Sequence, residues 1–237
     1  MGRWGMRLFE GDQDIDIAIE IDTALGKGDD MNLHLSRMIN QTDLLLPPAV
    51  QAYYKTEKYL KTELKKSVTK CRNTLDSGIC DQLFRIFRAK ENSAMGKYRV
   101  IILGALMMRA GAKIKDEDLQ HLRDLVPLIQ SNPGLAASLL GAAMRPLALL
   151  MAVRNVGDDG FRQPGRAQFL AALDNYKAGV PRSFLEPRQI EADIGQTPSQ
   201  CAKCKAAWYC NEDCQKAHWK DHKPACIAPE SRTTFNV

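Results

Sequence analysis

Apolar positions recur at helical spacing through most of this chain. In residues 49–72, just after Pro47-Pro48, Leu60, Leu64, Val68 and Cys71 fall on one face. Lys58, Lys61, Lys65, Lys66 and Lys70 surround that face, so the pattern predicts one long amphipathic helix. Asp76 offers an N-cap for a second helix that ends near residue 90. Further helices are expected over residues 98–110, 116–130, 134–153 and 164–176. Turn-forming clusters separate them: Gly111, Ser131-Asn132-Pro133, Gly157-Asp158-Asp159-Gly160 and Gly179-Val180-Pro181.

Near the N-terminus two signals conflict. Ile15, Ile17, Ile19 and Ile21 alternate with acidic or small residues, which is the period of a strand. Asp12 and Asp14 just before them suit the start of a helix, and helix is the reading adopted. The fold class expected is mainly α, a helical N-terminal domain with a small C-terminal module. The proposed division is residues 1–180 for the helical domain, 181–200 for a linker containing Pro181, Pro187 and Pro198, 201–226 for the module, and 227–237 for a tail.

Composition narrows this picture only a little. The chain has 237 residues, 45% of them hydrophobic, which suits one ordinary domain plus an appendage. A net charge of +5 is mild and by itself gives no reason to expect a nucleic-acid partner. The longest apolar stretch, residues 133–153, is interrupted by Arg145-Pro146, so a buried helix pair and no membrane span is expected. The basic opening is not followed by the apolar core of a secretion signal. Together with the cysteine spacing below, this points to an intracellular location, cytoplasmic or nuclear.

The most specific chemistry lies at the C-terminal end. Five of the seven cysteines fall between positions 201 and 226, in the pattern Cys201-x2-Cys204-x5-Cys210-x3-Cys214-x7-His222-x3-Cys226. Thiolates and an imidazole at such spacings are what tetrahedral Zn²⁺ requires, because one tight turn or one helical turn supplies two ligands. Elsewhere the signals are poor. Asp12-x-Asp14-x-Asp16 opens like a calcium loop, but Ile17 stands where glycine is needed and Thr23 where glutamate is needed. Cys71 and Cys80 are isolated and read as core thiols, and His34 and His121 lack ligand partners at useful spacing. Neither a glycine-rich phosphate loop nor a nucleophile elbow occurs.

The run Cys201-Ala-Lys-Cys204, Trp208-Tyr209-Cys210, Cys214-Gln215, His218-Trp219 and His222-Lys-Pro-Ala-Cys226 resembles a MYND-type zinc finger. The resemblance implies two zinc ions held by four ligand pairs in a crossed arrangement. Cys201/Cys204, Cys210/Cys214 and His222/Cys226 correspond to the second, third and fourth pairs. The first pair should lie about ten residues before Cys201 by that resemblance, yet residues 186–195 contain no cysteine. One ion, on Cys201, Cys204, His222 and Cys226, then has a complete shell, and the other, on Cys210 and Cys214, has half of one. Three explanations stay open. The pair is lost, which is favoured; His218 adds a ligand four residues after Cys214; or Cys210 and Cys214 remain thiols.

The resemblance also implies a partner. A proline- and leucine-containing peptide docks on such fingers beside Gln215 and Trp219, since an amide offers donor and acceptor and an indole packs on apolar side chains. The function expected is a zinc-binding, protein-interaction adaptor that is not an enzyme. MYND fingers also occur inside lysine methyltransferases, but only eleven residues follow Cys226 and no Asn-His-x-Cys segment precedes the finger. The alternative is an enzyme or nucleic-acid-associated regulator with the finger as its recognition module.

Overall fold

The computed structural model describes residues 8–26, 32–42, 46–129, 165–182, 199–203, and 208, 209, 212, 215, 216, 219, 223, 226 and 228. The expected helix over residues 134–153 lies outside them. The architecture is mainly α, as the sequence pattern implies.

Helix α1 spans Asp12–Asp22. Its alternating isoleucines do not form a strand, because Ile17, Ala18 and Ile21 are buried while Ile19 is 50% exposed, which is helical phasing. Asp14 is buried at its first turn. One carboxylate oxygen accepts the Phe9 N–H at 2.7 Å and the other accepts the Tyr98 hydroxyl at 2.5 Å, which ties the start of α1 to the central helix. Asp22, at the other end, accepts the N–H of Leu35, and the N–H and hydroxyl of Ser36 at 3.1 and 2.6 Å. It thereby organises the 3₁₀ turn Leu35–Met38, whose Leu35 and Met38 enter the core.

The single helix expected over residues 49–72 is broken. Helix α2 covers Pro48–Tyr54 and stops at Lys55. The Thr56 hydroxyl then accepts the Tyr59 N–H at 3.2 Å, an N-cap contact that restarts the helix. A π-helical turn follows at Tyr59–Leu64 before helix α3, Lys65–Thr74. The wider turn shifts the phase, so Tyr59 is buried at 7% exposure where Leu60, placed inward by the 3.6-residue pattern, is 40% exposed. Leu64, Val68 and Cys71 do face the core. Asp76 does not cap a helix either. Its carboxylate accepts the Lys113 N–H at 2.7 Å from across the domain. The chain bends there through Leu75–Ile79, where Gly78 takes φ +100, before helix α4, Cys80–Ala89.

Helix α5, Gly96–Ala110, is the centre of the domain, with every residue from Val100 to Ala110 buried. Helices α1, α3, α4 and α6, the last at Asp116–Leu125, pack around it. Gly104 marks the closest approach, since a Cβ there would lie 2.5 Å from a Leu122 methyl. Gly111 ends α5 in the left-handed conformation, and its N–H and that of Ala112 return to the carbonyls of Met108 and Met107, both at 3.0 Å. The expected extension of α6 to residue 130 tightens into a 3₁₀ turn, Val126–Leu128, because Pro127 lacks the N–H an α-helix needs. Helix α7, Gly165–Asp174, adds Phe169, Ala172 and Leu173 to the core. Beyond it, Gly179 and Arg182 donate to the carbonyls of Gly111 and Met108 at 2.9 and 3.0 Å, so the chain remains fastened to the end of α5 up to Arg182. Among the described residues no helix is long and apolar enough to cross a membrane.

Two predictions follow from Asp22 and from the core thiols. Replacing Asp22 with alanine leaves one buried and two half-buried donors without their acceptor and should cost roughly 1–3 kcal/mol in chemical denaturation. Burial, outweighing its hydrogen bonds, raises the Asp22 carboxyl above the ordinary carboxylate value of 3.8. A raised folded value favours the protonated group. Its stabilising contribution is complete below the unfolded value and fades as pH rises through the folded one. The gap between wild type and Asp22→Ala should therefore narrow with rising pH across that window, and a widening gap would contradict the assignment. Burial likewise pushes the Cys71 thiol up to about 11 and the Cys80 thiol up to about 12. Iodoacetamide near neutral pH should label neither in the native protein and both after denaturation, as read by peptide mass spectrometry.

Candidate metal centre

The C-terminal module begins with two very short strands. Strand β1, Ser199–Gln200, pairs antiparallel with β2, Trp208–Tyr209, placing Ser199 opposite Tyr209 and Gln200 opposite Trp208. Strand pairs this short are not stable by themselves and need another staple. The staple begins one residue past β1. Cys201 is buried at 2% exposure, and Ala202 and Lys203 turn outward beside it.

Cys226 reaches the same interior from the far end of the module. It is 4% exposed, and its N–H donates to the Lys223 carbonyl at 3.3 Å in a closing turn. The Sγ atoms of Cys201 and Cys226 lie 3.6 Å apart, although 25 residues separate them in the chain. A disulfide would require about 2.05 Å. Two thiolates on one tetrahedral zinc, each about 2.3 Å from the ion, stand about 3.8 Å apart. The observed separation therefore fits a shared metal and not a covalent bond. The buried ring of Tyr209 is the other large side chain inside the described part of the module.

Cys204, Cys210, Cys214, His222 and His218 lie outside the described residues. Among those described, no group of three or more His, Cys, Asp or Glu is disposed to hold a metal. The geometry thus brings together one thiol from the second ligand pair and one from the fourth, the two ends of the complete shell expected from sequence.

Gln215 and Trp219 both have helical backbone and are one turn apart, so they share a face. An exposed ion pair, Lys216 to Glu212 at 3.1 Å, spans the adjacent turn. Gln215 is half-buried, and Trp219 is 41% exposed. An indole with that exposure presents a face to solvent and is not enclosed by the module's interior. The sequence pattern did not reveal that Ser199 and Gln200 belong to the module's hairpin. Both are ordinary polar residues beside a Pro-containing stretch, and only their register against Trp208 and Tyr209 shows it.

Elsewhere, a cleft of about 310 Å³ between α4 and α6 gathers Asp81, Arg88, Lys115 and Asp118. Four of its charges are matched in pairs, Lys115 to Asp81 at 2.9 Å and Arg88 to Asp118 at 2.7 Å. The hydrogen bond to Asp81 holds the Lys115 ammonium above its usual value.

The MYND finger family matches residues 192–226, and this segment is a MYND finger, a class of zinc-binding, protein-interaction module. The chain is similar to N-lysine methyltransferase SMYD2 of Gallus gallus, with 53% identity over 85 residues covering 30% of this chain and 20% of that protein. It is 60% identical over 30 residues to N-lysine methyltransferase SMYD2-A of Xenopus laevis, covering 13% and 7% of the two chains. With N-lysine methyltransferase SMYD2-A of Danio rerio it shares 29% identity over 85 residues, again 30% and 20%. The chain thus spans a fifth or less of the length of these relatives. No solved structure matches it.

These relatives correct one expectation. The non-enzymatic reading rested on the short stretch after Cys226 and on a missing upstream segment, and similarity to proteins named as lysine methyltransferases overturns it. An enzymatic role is open to this chain.

Metal content is the direct test of the site. The sequence expectation of one complete shell and one half shell predicts about one zinc per chain in purified protein by atomic absorption. Two tightly held ions would contradict the half-site and implicate His218 or an upstream ligand.

Proposed function

We propose that the chain captures a protein partner through its C-terminal finger, with Gln215 and Trp219 as the contact residues and a proline- and leucine-containing peptide as the ligand. The observation that carries this reading is the placement of Trp219, 41% exposed and one helical turn beyond Gln215. A Gln carboxamide pairs with both the N–H and the carbonyl of an extended peptide. An accessible indole packs on proline or leucine with little entropic cost. Zinc held by Cys201, Cys204, His222 and Cys226 supplies the rigidity that two two-residue strands lack, so the helix bearing this face stays fixed against the hairpin. The setting is intracellular, in the cytoplasm or nucleus, where thiolate ligands stay reduced.

A second reading is favoured by the similarity to lysine methyltransferases. In it, the finger recruits protein to a methyl-transfer reaction. Transfer of a methyl group to lysines of a captured partner would establish this reading, and capture without transfer would leave the first alone.

Trp219→Ala should weaken capture of such a peptide by about tenfold or more, the loss typical of an aromatic anchor, with zinc content unchanged. If zinc is lost together with binding, Trp219 belongs to the module's interior and the assignment fails.

A further inference from the structure

The solvent face of the helix running through Tyr59–Leu64 and α3 carries a second surface. A shallow open groove of about 490 Å³ is lined by Thr62, Lys65, Lys66, Thr69, Lys70 and Asn73. These positions follow at intervals of three and four, so they form one continuous stripe about 16 Å long at 1.5 Å per residue. The opposite face, with Leu64, Val68 and Cys71, is committed to the core. The stripe is therefore held rigidly and turned outward.

Its chemistry is one-sided. Three ammonium groups and a carboxamide line it, and no carboxylate does. Lys65, Lys66 and Lys70 have no ion-pair partner among the described residues, whereas nearby Lys61 pairs with Glu57 at 3.0 Å. Glu63, the nearest acid along the helix, is turned to the Tyr53 hydroxyl. Thr62 and Thr69 donate to the carbonyls of Lys58 and Lys65, so these short side chains lie back along the helix and leave the groove open between the lysines.

We infer that this face binds the phosphate backbone of nucleic acid without regard to sequence. Net charge alone gives no reason for such a partner, but three ammonium groups collected on one stripe, unpaired among the described residues, do. A protein interface needs a desolvated apolar or aromatic anchor, and the stripe has none. An amphipathic membrane-surface helix buries apolar side chains beside its charges, and the stripe has none of these either. Lysine with asparagine is the donor set that proteins place against phosphates. Contacts of this kind go to phosphate oxygens, which carry no sequence information, so binding is indifferent to base sequence. Duplex DNA offers one charge per about 1.7 Å of axis, so a 16 Å stripe passes more phosphates than three lysines can neutralise.

The test uses the full zinc-loaded chain and a short fluorescent DNA duplex of mixed sequence, with anisotropy measured against salt. Three phosphate contacts give a slope of about −2.7 in log affinity against log salt, a loss of about 40-fold between roughly 50 and 200 mM. The triple variant Lys65→Gln, Lys66→Gln, Lys70→Gln, checked for native circular dichroism, should abolish this salt-dependent binding. A control triple with the same charge change at exposed sites, Lys90→Gln, Lys113→Gln, Lys177→Gln, should retain it. Trp219→Ala should also retain it, which separates this inference from peptide capture by the finger. The inference is overturned by no salt-dependent binding at 50 mM, or by equal loss in the control triple. It is overturned equally by a polyglutamate peptide of matched charge binding more tightly through the same three lysines, since that result assigns the face to an acidic protein.

Discussion

A separation of 3.6 Å between two buried sulfur atoms is the constraint on which the finger depends. Cys201 and Cys226 stand near the two ends of the module, and they meet in one buried interior. Among the described residues the strands contribute two residues each, and the ring of Tyr209 is enclosed with the thiols. Hydrophobic burial on that scale does not fold a polypeptide, whereas metal binding supplies folding free energy directly. The helical turn bearing Gln215 and Trp219 lies between the two thiols in the chain, so the order that metal gives the module extends to it.

The helical domain rests on different physics. Helix α5 is buried on every side, and α1, α3, α4 and α6 cover it. Buried carboxylates fasten one element to another there: Asp14 joins the start of α1 to Tyr98, and Asp22 builds the turn at Leu35. At the surface, Asp76 reaches Lys113. No metal is needed for any of these contacts. The chain therefore combines a large apolar core with a small module whose order comes from ligand chemistry.

What could be read from sequence follows the same division. Helix α5 was legible because an unbroken apolar run of that length has few other fates. The finger was legible because zinc imposes spacing on its ligands, and spacing survives in a bare sequence. The errors arose where a single side chain overrode the period. Thr56 restarts a helix within what reads as one continuous stripe, and the π turn after it exchanges Tyr59 for Leu60 at the core. Asp76 has the composition of a cap, but its partner is 37 residues away and invisible to local pattern. The basic stripe at Lys65, Lys66 and Lys70 was visible as charge. That the stripe lacks opposing carboxylates became clear only when Glu57 and Glu63 were seen to be turned elsewhere.

The central claim is that metal holds the finger while the helical domain holds itself. Far-ultraviolet circular dichroism together with hydrogen exchange before and after chelation tests it most directly. The account predicts that a strong zinc chelator, or His222→Ala, leaves most helical signal in place while amides after about residue 200 lose protection. Loss of the whole helical signal on chelation would contradict it, because the finger would then be part of the core.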